Sequence, residues 1–240
     1  MRLDKFLASA GLGTRSDVKK LLKSGAVTVT GFSGKLQPQQ HINPESDEVI
    51  VDGVPVRYRE FIYLMLNKPA GYISATWDKK LPTVLDLVGE EYLHYEPAPV
   101  GRLDIDTEGL LILTNDGALN HCLLSPKRHV PKTYLAYLDG AVGDEEIQAF
   151  RDGVTLEDGY QTKSAELRIL EQQDDTFAVE VVITEGKFHQ VKRMFASVGR
   201  QVLYLKRIKM NRLELDVSLE PGAVRELTSE ELELLRYGTK

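Results

Sequence analysis

The run Gly101-Arg102-Leu103-Asp104-Ile105-Asp106-Thr107-Glu108-Gly109 gathers three carboxylates and a guanidinium, then leads straight into Leu110-Leu111-Ile112-Leu113. Two chemistries suit such a run. A carboxylate held beside a cation in a cleft can act as nucleophile or base. Paired carboxylates also suit glycosidic-bond cleavage through an oxocarbenium-like state. An ordinary turn over 106–109, capped by Asp104, accounts for the same residues without chemistry. A second dense segment is Glu185-Gly186-Lys187-Phe188-His189-Gln190-Val191-Lys192-Arg193-Met194-Phe195. On a helix, Val191, Met194, Phe195 and Val198 form one apolar stripe, while His189, Lys192, Arg193 and Ala196 repeat that spacing on another face. His189, Lys192 and Arg193 are therefore expected to converge on one site, and a helix start there favours an anion. A solvated surface helix gives the same pattern. Lys132-Thr133-Tyr134 opens a strand, where an aromatic serves either a core or a site. Asn67-Lys68-Pro69-Ala70-Gly71 reads as a loop after an apolar strand. There is no Walker loop, no GxGxxG fingerprint and no metal-ligand spacing, and the five histidines (41, 94, 121, 129 and 189) are scattered. Neither a metal nor a cofactor is expected.

The elements that must position these residues are legible in outline. Leu3, Phe6, Leu7 and Ala10 predict a short helix stopped by Gly11-Leu12-Gly13. A second helix starts at Thr14, its N-cap, with Asp17 three residues on, buries Val18, Leu21 and Leu22, and ends before Gly25. Arg15, Lys19 and Lys23 form one stripe along it, with Lys20 beside them. Strands are expected over Ala26–Thr30 and Glu48–Asp52, and Arg57–Glu60 reads as a polar linker that lets the N-terminal module swing. Further strands are expected over Ile62–Leu66, Leu110–Thr114, Thr133–Leu138, Phe177–Ile183, Val202–Leu205 and Leu213–Val217. Helices are expected over Thr83–Val88, Ala118–Leu124, Asp144–Asp152, His189–Val198 and Ser229–Arg236. Strands outnumber helices without alternating strictly, which predicts an α+β fold with a largely antiparallel mixed sheet. The expected division is a small domain over 1–58 and a larger one over 59–240.

Composition bounds the class. The chain has 240 residues, 42% hydrophobic and 28% charged, the balance of a globular protein. No apolar run approaches a membrane span, and the N-terminus lacks an apolar leader. The lone Cys122 excludes an intrachain disulfide. A soluble, cytoplasmic protein is expected, and nothing suggests a self-complementary apolar face, so a monomer is expected. The formal net charge of −6 hides a segregation. Residues 1–30 carry a net +4, residues 185–212 a net +7 and residues 139–180 a net −9. Two basic zones and one acidic flank fit a polyanion on one side of the molecule.

Taken in order, these segments resemble the bacterial ribosomal pseudouridine synthases of the small-subunit type and their large-subunit relatives, over essentially the whole chain. Met1-Arg2-Leu3-Asp4-Lys5-Phe6-Leu7 through the basic helix to Val27-Thr28-Val29 resembles an S4 RNA-binding domain. Leu66-Asn67-Lys68-Pro69-Ala70-Gly71 is similar to the family's first motif, and Gly101-Arg102-Leu103-Asp104 to the motif bearing its catalytic aspartate. Lys132-Thr133-Tyr134 and Gly186–Met194 are similar to motifs bearing a stacking tyrosine and a basic residue paired with that aspartate. The resemblance implies that Asp104 is the nucleophile, that Tyr134 stacks on the target base and that Lys192 makes the ion pair, with Arg193 the alternative. Arg102 resembles the arginine that enters the RNA stack. Arg15, Lys19, Lys20 and Lys23, with Lys187, His189 and Arg193, are expected to hold phosphates. The implied reaction isomerises a uridine of ribosomal RNA without cofactor. The substrate expected is 16S RNA, with uridine 516 the implied target, either free or in a partly assembled subunit. Ser125–Tyr134 and the short C-terminus look closer to the small-subunit type than to synthases acting on 23S RNA. A non-catalytic S4 RNA-binding assembly protein would explain the basic helix but leave residues 60–240 without a task. The basic zones argue against a glycoside hydrolase acting on a neutral sugar.

Overall fold

The fold comes from a computed structural model, which describes residues 1–56, 58–173 and 176–238. The chain forms two compact units, one of residues 1–62 with 89–96 and one of residues 63–88 with 97–240.

In the first unit, helix α1 (Leu3–Ser9) buries Leu3, Phe6 and Leu7. Helix α2 (Arg15–Ser24) opens with a reciprocal capping box: Thr14 Oγ1 accepts from the Asp17 N–H, and the Asp17 carboxylate accepts from the Thr14 N–H. It ends at Gly25, whose φ of 80° is the left-handed conformation glycine adopts without steric cost. Strands β1 (Val27–Val29), β2 (Val49–Val51) and β3 (Val54–Val56) form an antiparallel meander. Their inward valines join the helix residues in one small core. Tyr58 is part of it, its ring stacked on Phe6 with centroids 5.6 Å apart. The stretch read as a linker thus contributes packing at Tyr58, while Arg57 lies outside the described residues. The short helix α3 (Glu90–Leu93) has no apolar periodicity to announce it, and the following His94 lies against Gly11.

The second unit is built on a sheet of nine strands among the described residues. These are β4 (Tyr63–Lys68), β5 (Ala98–Pro99), β6 (Glu108–Thr114), β7 (Lys132–Leu138), β8 (Glu166–Gln173), β9 (Thr176–Ile183), β10 (Val202–Met210), β11 (Leu213–Glu214) and β12 (Val224–Glu226). The order is β12-β4-β6-β10-β7-β9-β8, with β5 on β6 and β11 on β10. The β6–β10 pair is parallel and the other pairings are antiparallel, so the sheet is mixed and mostly antiparallel, as expected. Residues 110–113 are wholly buried, which is why β6 reads as an unbroken apolar run: a central strand covered on both faces needs no polar side. Helices α4 (Gly117–Leu124), α5 (Asp144–Asp152), α6 (Gln190–Ser197) and α7 (Ser229–Arg236) flank the sheet. Asp116 caps α4 by accepting from the Leu119 N–H, and Thr228 with Glu231 caps α7. The stretch expected as a helix at 83–88 is a single 3-10 turn, Val84–Leu87.

Two differences from the sequence reading have physical causes. Strand β8 (ELRILEQQ) is an edge strand, and its charged, polar pattern hides it. Strand β10 runs on to Met210 because Arg207, inside what looks like a basic surface run, is buried with its Nε donating to the Leu110 carbonyl (2.8 Å). Gly109 makes that approach possible. Its φ is 97°, and a Cβ there would run into the Arg207 carbonyl oxygen.

Candidate active site

The loop of residues 101–107 leaves β5 and enters β6, and its shape is set from β4. Lys68, at the end of β4 and opposite Gly109, is fully buried. Its ammonium lies within donating distance of the carbonyls of Pro69 (3.0 Å), Asp104 (3.1 Å), Ile105 (3.3 Å) and Thr107 (2.9 Å). The loop is in effect folded around one cation, because buried carbonyls turned inward need a donor. Burial lowers the Lys68 pKa to about 8, while Asp106, Glu108 and Asp104 work to hold its proton on. Further ties come from the same segment. Ser74 Oγ both accepts from the Leu103 N–H and donates to the Leu103 carbonyl, each at 3.0 Å, and the Gly71 N–H donates to the Ile105 carbonyl (2.7 Å). Lys68 is the residue the sequence reading passed over. Pro69 and Gly71 marked a loop, and a lysine after an apolar strand carries no sign that it will be buried.

The second segment approaches from α6. Lys192 Nζ donates to Asp106 Oδ1 (2.6 Å) and lies 3.8 Å from Asp104 Oδ2. That hydrogen bond holds the Asp106 carboxyl below its usual range. His189 Nε2 lies 3.7 Å from Asp104 Oδ1. The helix starts one residue later than expected. His189 is its N-cap, with φ 48° in the left-handed region, and so presents its ring from the turn rather than from a helical face. The turn is braced from below. Buried Glu185 accepts from Gln190 Nε2 (2.7 Å), from the Lys163 N–H (2.9 Å) and from the Tyr160 hydroxyl (2.8 Å), and Gln190 Oε1 accepts from the Lys187 N–H (2.8 Å).

The expected convergence of Lys192 and Arg193 does not occur. Arg193 turns to Asp158 (2.5 Å) and Glu157 (3.4 Å), so of the two, Lys192 faces Asp104. Adjacent residues on a helix point in different directions, so Lys192 and Arg193 cannot both face one site, and the acidic 157–158 loop claims the second one. Lys187 lies over the Tyr160 ring, 4.5 Å from its centroid.

An open cavity collects most of the remaining candidates. Asp104, Arg102, Lys187 and His189 line it, and Tyr134 shares it with apolar Leu103, Ile183, Val191 and Leu205. Tyr134 is buried on β7, its backbone between Arg207 of β10 and Val181 of β9. Asp104 keeps about a quarter of its side chain exposed (27%), facing the cavity while flanked by Lys192. The arrangement offers a carboxylate with a cation on one side, an aromatic wall and a positively charged rim. Such a site suits a flat base attached to an anionic backbone. In the other unit, Arg15, Lys19, Lys20 and Lys23 are exposed on α2, with Lys20 reaching Asp17 (3.3 Å). Among the described residues no group of three or more His, Cys, Asp or Glu is placed to hold a metal ion, and no helix is long and apolar enough to cross a membrane.

Comparison with known proteins bears on this geometry. Residues 62–197 match the RNA pseudouridylate synthase family and residues 1–31 match the S4 domain. An RNA pseudouridine synthase of Bacillus subtilis is 52% identical over 235 residues, covering 98% of each chain. Ribosomal small subunit pseudouridine synthase A of Yersinia pestis is 42% identical, covering 97% of each chain. A crystal structure of a pseudouridylate synthase superposes with a TM-score of 0.68 at 39% identity, over 98% of this chain and 99% of that one. Motif order, site geometry and whole-length similarity agree, and the chain belongs to the RNA pseudouridylate synthase family.

Proposed function

We propose that this protein converts a uridine of 16S ribosomal RNA into pseudouridine, with uridine 516 the target. The observation that carries this reading is the Asp104 carboxylate, 3.8 Å from the Lys192 ammonium and in one cavity with Tyr134, on a loop folded around Lys68. The similarity to small-subunit synthases supports the choice of RNA.

The chemistry follows from the residues. The C1′–N1 bond of the uridine breaks, the uracil turns, and C1′ rejoins at C5, whose proton then leaves. Asp104 either attacks the sugar or takes a sugar proton. Neither route needs a redox partner. A uracil inside folded RNA is out of reach, so it must be extruded at a cost of a few kcal/mol. Stacking on an aromatic returns roughly 1–3 kcal/mol, the role assigned to Tyr134. Arg102 fills the gap left in the stack. Lys192 keeps a positive charge beside Asp104 while Asp106 holds Lys192 in place. Lys187 and His189 at the rim, and the bases of α2, contribute phosphate contacts that fix register.

The test is direct. The enzyme is incubated with 16S RNA carrying tritium at uridine C5, as a naked transcript and as a partly assembled subunit. Tritium release from one of them is expected, with the new pseudouridine mapped by sequencing. Ribosomal RNA from a strain lacking the protein should lack that same pseudouridine. A missing pseudouridine in 23S RNA instead would overturn the choice of substrate, and tritium retained in every RNA would overturn the reaction.

A further inference from the structure

Phe188 stands out at the rim of this site. It is 70% exposed, although phenylalanine is among the residues folding most often buries. Its turn is held by the Glu185 and Gln190 network below, and the Phe188 carbonyl accepts from Arg193 Nη1 (3.4 Å). Arg193 is itself anchored on Asp158, so the residue that fails to reach Asp104 instead fixes the backbone carrying Phe188. One face of the Phe188 ring is covered by the His189 imidazole, with centroids 3.7 Å apart and planes 20° from parallel. His189 occupies the left-handed backbone region to hold this position, which costs a non-glycine residue energy, and its Nε2 lies 3.7 Å from Asp104. A braced, solvent-facing aromatic pair thus sits beside the candidate catalytic carboxylate. Lys187 precedes Phe188 in sequence, and Lys187 and Arg102 line the cavity together with His189.

We propose, resting on the synthase reading above, that the Phe188–His189 ring pair is a stacking platform for a nucleobase adjacent in sequence to the extruded uridine. A flat apolar ring face next to a cavity lined by cations matches a base and its phosphates. Aromatic stacking is tolerant of base identity, so the platform contributes affinity and register rather than sequence choice. Extruding a base leaves its neighbours partly unstacked, and a rigid ring pair replaces the lost contact without an ordering cost of its own.

The experiment uses the full-length protein and a naked 16S RNA transcript, read by filter binding and by steady-state kinetics. Phe188→Leu should raise Kd and KM roughly 5- to 150-fold, the factor one lost base–aromatic stack represents, with the loss in KM rather than kcat. Phe188→Trp should restore binding. Because the side chain is exposed, both variants should melt with the wild type. RNA with an abasic nucleotide on either side of the mapped target should weaken wild-type binding at one of the two positions. At that position Phe188→Leu should lose nothing further. Leu and wild-type proteins that bind the transcript equally overturn the platform. So does a defect seen only with subunits containing ribosomal proteins, which would make Phe188 a protein-docking residue. A wild type that binds the transcript through Phe188 yet never forms pseudouridine leaves the platform standing and removes the synthase reading instead.

Discussion

Two regions of this chain look alike in sequence and behave differently in three dimensions. Helix α2 and the segment 185–212 are both dense in lysine and arginine, and both were expected to bind phosphate. On α2 the expectation meets an exposed helix face, where Arg15, Lys19 and Lys23 project into solvent and Lys20 pairs with Asp17 of its own helix. In 185–212 most of the charge is tied to partners within the chain. Lys192 goes to Asp106, Arg193 to Asp158, Lys209 to Glu214 and Arg200 to the Ala141 carbonyl, while Arg207 is buried. A run of bases reports an RNA surface only where the fold leaves them in solvent. Where acidic loops and inward carbonyls lie nearby, the same residues become internal ties, and the net +7 overstates what RNA meets.

Mutations can sharpen or break this contrast, beginning with the residue the internal ties serve. Asp104→Asn should abolish pseudouridine formation, by at least about 10³-fold, while RNA affinity persists. Near-normal turnover in a tritium-release assay would remove Asp104 from its role. Lys68→Met comes next. It keeps the apolar stem but withdraws the ammonium from four carbonyls, and single-turnover rates should fall about 10²-fold as the loop loses its geometry. Each carbonyl left buried and unpaired costs roughly 1–3 kcal/mol, so urea unfolding should move in parallel. Unchanged rate and stability would mean the loop stands without its cation.

The basic regions themselves are compared by salt. Replacing Arg15, Lys19 and Lys23 together by Gln should reduce the slope of log K against log salt for RNA binding by about 2 to 3. Arg193→Gln should leave that slope alone and cost no more than about 1 kcal/mol of stability, as expected for pairs with exposed carboxylates. Equal losses of slope would erase the distinction. The smallest effect concerns pH. Burial lowers the pKa values of Lys68 and Lys132 to about 8, against an ordinary value of 10.5. Above about pH 8 the folded protein sheds these protons while the unfolded chain keeps them. The unfolded state then binds more protons, and stability contributed by these groups rises with pH. Urea midpoints taken at about pH 8 and about pH 9 should show that rise, smaller in Lys68→Met; an identical slope in the variant would place the titration elsewhere.

Much of the candidate site was legible because motif order is a property of the chain. Asp104, Tyr134 and Lys192 stood out from residue type and spacing together with family resemblance. The capped helices were equally plain, since a capping box such as Thr14 with Asp17 is written in residues three apart. The edge strand β8 was missed because an edge needs no apolar alternation, and the extent of β10 because a buried arginine looks like a surface one. Lys68 was missed for the same reason.

The sequence by itself determined many of the local devices: the capped helices, the central apolar strands and which side chains carry ionisable chemistry. Those follow from periodicity, caps and turn residues, and all act over a few positions. Only the tertiary structure decided which cation faces Asp104, which lysine the 101–107 loop folds around and which bases remain exposed to solvent. The first two rest on partners far apart in the chain, such as Lys68 with Asp104 at 36 positions and Lys192 with Asp106 at 86. Charge and hydrogen-bonding capacity are set by residue type, but the partner each group finds is set by what the folded chain brings within about 3 Å of it.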